Sequence, residues 1–374
     1  MPERNSPCPC GSGKKFKYCC KNSFRDESRH QDASIPSYSE ILESGFQLDN
    51  EQKKLLGKIA RSTIAAEPKI GCLAPVLSGS LCGRKSIKSH TVSKSRELGS
   101  IAENGFVLST NKKATSVLSE SRNPFGKIPL KEASAFPGFC SHHDLTLFKP
   151  IDDEDWSGSR EQAFLLGYRA ICSELFAKLY QSEAFLPAVM SLAPSFQQDY
   201  WRGFQEGTNL ALKQLRDTKR IADDQLLNNS YKKRFIAVSL GRDFPIRVGG
   251  CLAPDFDFQG RQCFDLSDYE TPVQNISMAT HTTSGDVVGV FTWFADCAEI
   301  SRFCDSFCNI RRDHQRAAFA QACIEICEHT YLSPEWWQSI PEGKASKISA
   351  RFLDSTPGKR LPNYLIRNAL YDCV

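Results

Sequence analysis

The sequence predicts a multidomain α+β protein: a small N-terminal zinc module, a zinc-stabilised loop-rich domain, a helical segment and a mixed, β-rich C-terminal domain. Three observations lead there. Four cysteines crowd into the first twenty residues, residues 159–230 keep a helical apolar period, and residues 234–294 switch to short apolar runs cut by Gly, Asp and Pro. At 374 residues the chain exceeds one ordinary core. It is 41% hydrophobic and 24% charged, close to the average soluble protein. No stretch approaches the roughly 18–20 apolar residues of a membrane span. The opening MPERNSPCPC lacks the apolar core of a signal peptide, so a cytoplasmic location is expected.

Taken in order, residues 1–22 hold the cysteine cluster and residues 23–65 read as a polar linker followed by a helix, with a helical period in ILESGFQ and EQKKLLGKIARSTI. Residues 66–156 are rich in Gly, Pro, Ser and Asn and are expected to be mostly loop. They carry Cys72, Cys82, His90, Cys140, His142 and His143. Their acidic end, Asp152, Asp153, Glu154 and Asp155, reads as the solvated start of the next helix. The helical segment, 157–230, has an apolar stripe through Phe164, Tyr168, Ile171, Leu175 and Leu179, and a second long helix is expected from Ser195 to about Leu227. The C-terminal domain, 231–374, shows strand patterns in RFIAVSL, PIRVGG, VQNISMATH and DVVGVFTWF. The pair Gly285-Asp286 turns the last two into a hairpin, and a helix is expected over 314–331.

The net charge of +4 is concentrated in residues 1–22, where Arg4, Lys14, Lys15, Lys17 and Lys21 face only Glu3. The rest of the chain is neutral, which argues against a globally basic nucleic-acid binder and leaves room for a local basic patch. Sixteen cysteines is a high number. Without an export signal, closely spaced cysteines point to metal, and scattered ones to small core residues. Cys297, Cys304, Cys308, Cys323 and Cys327 fall near helical spacings among apolar residues and are expected to pack helices.

The N-terminal cluster has the chemistry of a zinc site. Zinc takes four soft or borderline ligands at tetrahedral angles. Cys8-Pro9-Cys10 offers two thiolates from one tight turn, and Cys19-Cys20 offers two more after eight residues. The segment between, GSGKKFKY, supplies glycines for the chain reversal and lysines to offset the thiolate charge. So short a segment has almost no apolar core, so metal binding must supply its folding free energy. The stretch RNSPCPCGSGKKFKYCC resembles the SEC-C motif, the small zinc module at the end of the Sec translocase motor ATPase that is also appended to many unrelated bacterial proteins. The match includes Cys8, Cys10, Cys19, Cys20 and the GSGKK core. The resemblance implies one zinc and a binding module, since in the motor ATPase it contacts a chaperone and the ribosome. A protein or ribonucleoprotein partner is therefore expected here.

A second metal site is expected in the middle region. Cys140 and His143 have the C-x2-H spacing of half a zinc clamp, and Cys72 or Cys82 can supply the other half. The expected set is Cys82, His90, Cys140 and His143, a structural zinc knuckle with no open position. A region without metal is the plain alternative. The stretches IKSHTVSKS and GFCSHHD also resemble the ββα-metal, treble-clef core of HNH nucleases. That resemblance implies His90 as catalytic base, and metal-dependent cleavage of foreign nucleic acid. Arg84, Lys85, Lys88, Lys94 and Arg96, with no acid among residues 83–96, form a patch able to hold phosphates. The paired CxxC of that family is missing here. Trp336-Trp337 is expected to pack in a core, and His281 to be a hydrogen-bonded histidine in a strand.

Overall fold

A computed structural model describes residues 5–6, 14–18, 35, 49–77, 79–110, 124–232, 234–266, 268 and 271–354. Of these, the residues in Met1–Glu67 and Tyr180–Thr208 form one unit. Those in Pro68–Lys112, Ser121–Leu179 and Asn209–Val374 form a second.

In the first unit, helix α1 (Asn50–Ala65) starts at a capping box. Asp49 Oδ1 accepts from the Gln52 amide at 2.8 Å while Gln52 Oε1 accepts from the Asp49 amide at 3.2 Å. Its apolar face, Leu55, Leu56 and Ile59, packs with Ile35, Val189, Phe185 and Trp201.

The second unit is built on a seven-stranded antiparallel sheet. Its elements in chain order begin with β1 (Ile87–His90), β2 (Phe106–Thr110), β3 (Phe125–Pro129), β4 (Ala135–Phe139), α2 (Ser141–Leu147), α3 (Arg160–Tyr180) and, in the first unit, α4 (Leu186–Leu192). Then come α5 (Gln198–Leu227), β5 (Phe235–Ser239), β6 (Ile246–Leu252), β7 (Ile276–Thr282), β8 (Val287–Thr292), α6 (Ala298–Cys308), α7 (Arg312–Glu325), β9 (Thr330–Leu332), α8 (Pro334–Ser339) and α9 (Glu342–Asp354). The sheet order is β3-β2-β9-β6-β7-β8-β5, and β1 and β4 pair separately.

Both faces of the sheet are covered, which explains why its strands read as nearly continuous apolar runs. Along β8, Val287 and Phe291 join the core formed with α6 and α7, while Val288 and Val290 join the core formed with α3. Gly289 allows close approach, because a Cβ there would meet the Phe319 ring at 2.7 Å. Helix α3 lies against the other face. Its Ala163 carbonyl accepts from Thr292 Oγ1 at 3.0 Å, and all five residues of the predicted stripe are buried.

The expected mixed α+β character is observed, as are the helical segment, the four strands and the hairpin turn, where the Thr283 amide donates to the Asp286 carbonyl at 2.8 Å. Other expectations change. The stretches 66–156 and 231–374 share one sheet, because β2 and β3 from the former pair through β9 with β6 from the latter. The helix expected over 314–331 ends at Glu325, and Thr330, Tyr331 and Leu332 form the strand that makes this connection. The run at 152–155 does not start the next helix, which begins at Arg160, although Asp153, Glu154 and Asp155 are exposed. Asp152 takes a bidentate pair from Arg169 at 2.9 and 2.6 Å, and Asp155 takes Arg96 at 2.8 Å.

Of the five cysteines expected to pack helices, Cys304, Cys323 and Cys327 are buried in the core, though Cys327 lies past the end of α7, while Cys297 is half-buried and Cys308 exposed. Trp336 and Trp337 pack against that core, with Trp337 edge-on to Phe125. All eleven described cysteines are free thiols. No described helix is long and apolar enough to cross a membrane.

Candidate metal centre

Residues 71–85 form a narrow two-legged ribbon. Isolated bridges join Gly71 to Lys85 and Pro75 to Leu81, and a turn closes it where the Val76 amide donates to the Ser80 carbonyl at 2.8 Å. The Cys72 amide donates to Arg84 O at 2.7 Å and the Cys82 amide to Ala74 O at 2.7 Å, which sets Cys72 and Cys82 on facing legs. The legs come close because Gly71 lacks a side chain. A Cβ on Gly71 would lie 2.6 Å from the Gly83 carbonyl, and Gly83 itself has φ +66°. The Leu73 amide then donates to Gly138 O at 2.9 Å, tying the ribbon to β4.

Immediately after β4, Cys140 occupies the N-cap of α2 and His143 its first turn. The four ligand atoms of Cys72, Cys82, Cys140 and His143 lie within 4.8 Å of one another. His143 Nδ1 is 3.3 Å from Cys72 Sγ and 3.6 Å from Cys140 Sγ. Bonds of about 2.3 Å to sulfur and 2.0–2.1 Å to nitrogen at tetrahedral angles imply a sulfur–nitrogen edge of roughly 3.6 Å. Two sulfur–nitrogen edges therefore lie near the tetrahedral value, in a set that offers three sulfur ligands and one nitrogen.

The electrostatics favour the ligand form at Cys140 and His143 and oppose it at Cys72. Burial works to raise the Cys140 thiol, yet the amide N–H groups of His143 and His142 and the neighbouring thiols hold it below the usual thiol range. Burial, with the charges of His142 and Arg84, holds His143 below the usual imidazole range, so its ring is neutral. Burial pushes the Cys72 thiol up to about 11. A bound cation supplies the charge needed to deprotonate it.

The sequence expectation placed His90 in this set. The structure brings Cys82, Cys140 and His143 together and puts Cys72 fourth. His90 ends β1 opposite Ala135, with its Nε2 buried and without a hydrogen-bond partner among the described residues. Burial, with the charges of Lys94 and Arg169, holds His90 below the usual imidazole range against the opposing pull of the Leu130 backbone and Asp144, so its ring is neutral. Of the expected phosphate patch, Arg84, Lys85, Lys88 and Lys94 are exposed. Arg96 is not free to join them, because it donates to Asp155, to Asp152 O and to Thr282 O.

Cys8, Cys10, Cys19 and Cys20 lie outside the described residues. Between them, Phe16–Tyr18 form a 3₁₀ turn and Lys17 sits 4.7 Å from the Tyr18 ring centroid. Comparison with known proteins settles what this stretch is. Residues 4–22 match the SEC-C motif. The chain is 73% identical over 22 residues to the protein translocase subunit SecA of a Nitratiruptor species. That match covers 6% of this chain and 2% of that protein. It is 84% identical over 19 residues to the uncharacterized protein YecA of Escherichia coli (strain K12), covering 5% of this chain and 9% of YecA. The chain thus spans less than a tenth of either relative. No solved structure matches the chain. The SEC-C motif and the half-buried Cys/His set are therefore two separate candidate metal-binding features.

A network the sequence did not reveal surrounds the turn Lys94–Leu98 that follows β1. Glu97 Oε2 lies 3.2 Å from Arg247 Nε and accepts from Thr282 Oγ1 at 2.9 Å, and Oε1 accepts from the Thr282 amide. His281 is buried next to Thr282, 5.9 Å from the Trp156 ring, and neither ring nitrogen has a hydrogen-bond partner among the described residues. This differs from the expected hydrogen-bonded histidine: the ring is buried with no hydrogen-bond partner among the described residues.

Burial, with Arg96, holds the His281 ring below the usual imidazole range, against the opposing pull of Glu97, Asp155 and Asp152. A pKa lower folded than unfolded means the unfolded chain takes up the proton first. The stability contribution is complete above about pH 6.5 and is lost as pH falls toward the folded value, by up to ~1.4 kcal/mol per pH unit. We expect the urea midpoint of the protein to drop between about pH 7 and pH 5.5 and His281→Phe to lessen that drop. An identical drop in the variant would remove His281 as a source.

Proposed function

We propose that this chain is a zinc-dependent binding protein of the cytoplasm. Its SEC-C motif docks onto a protein or ribonucleoprotein partner through a zinc held by Cys8, Cys10, Cys19 and Cys20. A second zinc on Cys72, Cys82, Cys140 and His143 staples the ribbon to β4 and α2. The observation that carries this reading is the closed set of three sulfurs and one nitrogen, which leaves no coordination position for a substrate. The free thiols fit a reducing compartment. In the test, full-length protein should hold two zinc ions per chain. A Cys8→Ser/Cys19→Ser variant should keep one zinc and its fold, and lose co-sedimentation with purified ribosomes. A variant that co-sediments as well as the parent would overturn the docking role.

The position of His90 supports a second reading, a nuclease. Its neutral ring lies outside the metal set with a buried, unpaired nitrogen, and exposed Arg84, Lys85, Lys88 and Lys94 are close in sequence. In that reading His90 is a base activating water, and a loosely held divalent ion stabilises the leaving oxygen. Because His90 is no ligand of the set, His90→Ala should keep its zinc in either case, and cleavage of nucleic acid separates the two. We expect no cleavage by the parent protein with magnesium or manganese added. Cleavage that is lost in a folded, zinc-replete His90→Ala chain would establish the nuclease.

A further inference from the structure

Beside the metal set lies a cavity of about 470 Å³, inside the ~300–1,000 Å³ range of small-molecule sites. One wall is the metal-bearing ribbon at Gly71, Cys72, Leu73 and Gly83, and the other is formed by α3 and α5. The cavity surface is mostly apolar, with Ile70, Leu73, Leu175 and Leu179 contributing to it. The charged residues all come from α5. Asp223, the acid of the lining, is already committed. It accepts from Lys219 Nζ at 2.8 and 2.7 Å and from the Tyr168 hydroxyl at 2.7 Å. Arg216 and Arg220 remain, both exposed, and neither has an ion-pair partner among the described residues. They stand one helical turn apart on one face of α5, where two like charges repel.

An apolar hollow edged by two unneutralised guanidinium groups is complementary to a ligand of one kind. We propose that this cavity binds a small amphipathic anion, whose apolar body lies against Leu73, Leu175 and Leu179 and whose carboxylate or phosphate is held by Arg216 and Arg220. The planar donor fork of arginine suits either headgroup, and an anion between the two side chains relieves their repulsion. The cavity is separate from the SEC-C motif and shares only Cys72 with the metal set, so it stands whether or not the docking role does.

Calorimetric titration of the full-length, zinc-loaded protein with decanoate, decyl phosphate and decanol tests it. At least one anion should bind tenfold or more tightly than decanol, and the tighter of the two identifies the headgroup. Arg216→Ala/Arg220→Ala, which alters exposed and unpaired side chains, should keep its melting temperature and zinc content, weaken the anion at least tenfold and leave decanol unchanged. Decanol binding as tightly as both anions, no binding of either anion, or anion affinity unchanged in the double variant would each overturn the proposal.

Discussion

Replacing Cys140 with serine should remove one metal equivalent from the full-length chain and open residues 68–147 to protease. Cys140 is buried, supplies one of four ligand atoms and begins α2, so a single change affects both the site and the start of the helix. The ribbon at 71–85 carries a few isolated bridges in place of a strand ladder. A metal on these four residues would add a cross-link to its few backbone hydrogen bonds. Structural zinc contributes about 10–16 kcal/mol in small peptides, comparable to the ~5–15 kcal/mol that holds a whole domain folded. Cys304→Ser, at a buried thiol outside the set, is the control and should keep its metal. Mass spectrometry of the metal content and of the first cleavage products reads both effects. A Cys140→Ser chain with parental metal content and parental cleavage sites would show that these four residues hold no metal.

Glu97→Ala should lower stability by about 3–5 kcal/mol, the cost of leaving one partner of a buried pair uncompensated. The side chains of Arg247 and Glu97 are 2% and 5% exposed, so water cannot replace the lost carboxylate. Arg247 is held in place by Phe244 O at 2.7 Å, Ile246 O at 3.0 Å and Ser100 Oγ at 2.9 Å, and cannot swing out to solvent. The Thr282 amide and hydroxyl lose their acceptor in the same variant. Replacing both partners with apolar residues, Glu97→Leu/Arg247→Met, should recover more than half of the loss, because no buried charge remains. Urea midpoints of the three proteins decide it. Equal midpoints for Glu97→Ala and the double variant would mean that the charge on Arg247 is not what destabilises the single one.

Legibility of the sequence followed the length of each pattern. Helices α3 and α5 and strands β5 to β8 are long enough for a 3.6- or 2-residue period to register, and they were readable. The three residues of β9 were not, since Thr330-Tyr331-Leu332 continues an apolar helical run and becomes a strand only by pairing with Leu108, Ser109 and Ile246 to Val248. In the metal set, Cys140 and His143 were legible from local spacing. That Cys72 joins Cys82 while His90 stays out was not, because His90 lies on β1, outside the ribbon, and the backbone pairing that sets Cys72 opposite Cys82 leaves no local spacing signal. Arg96 looked like a phosphate contact because its partners Asp155 and Thr282 are distant in sequence.

The place of β9 bears on how the protein can be made. Among the described residues, strands β2 and β3 join the rest of the sheet only through β9, more than two hundred residues downstream. During vectorial synthesis the β2–β3 hairpin therefore waits, with the β2 edge unpaired, until nearly all of the described chain has emerged. The ribbon, β1, β4 and α2 are complete much earlier, by Leu147. A premature stop before Thr330 would leave two open sheet edges, on β2 and β6, which is a template for aggregation in place of a stable shorter protein.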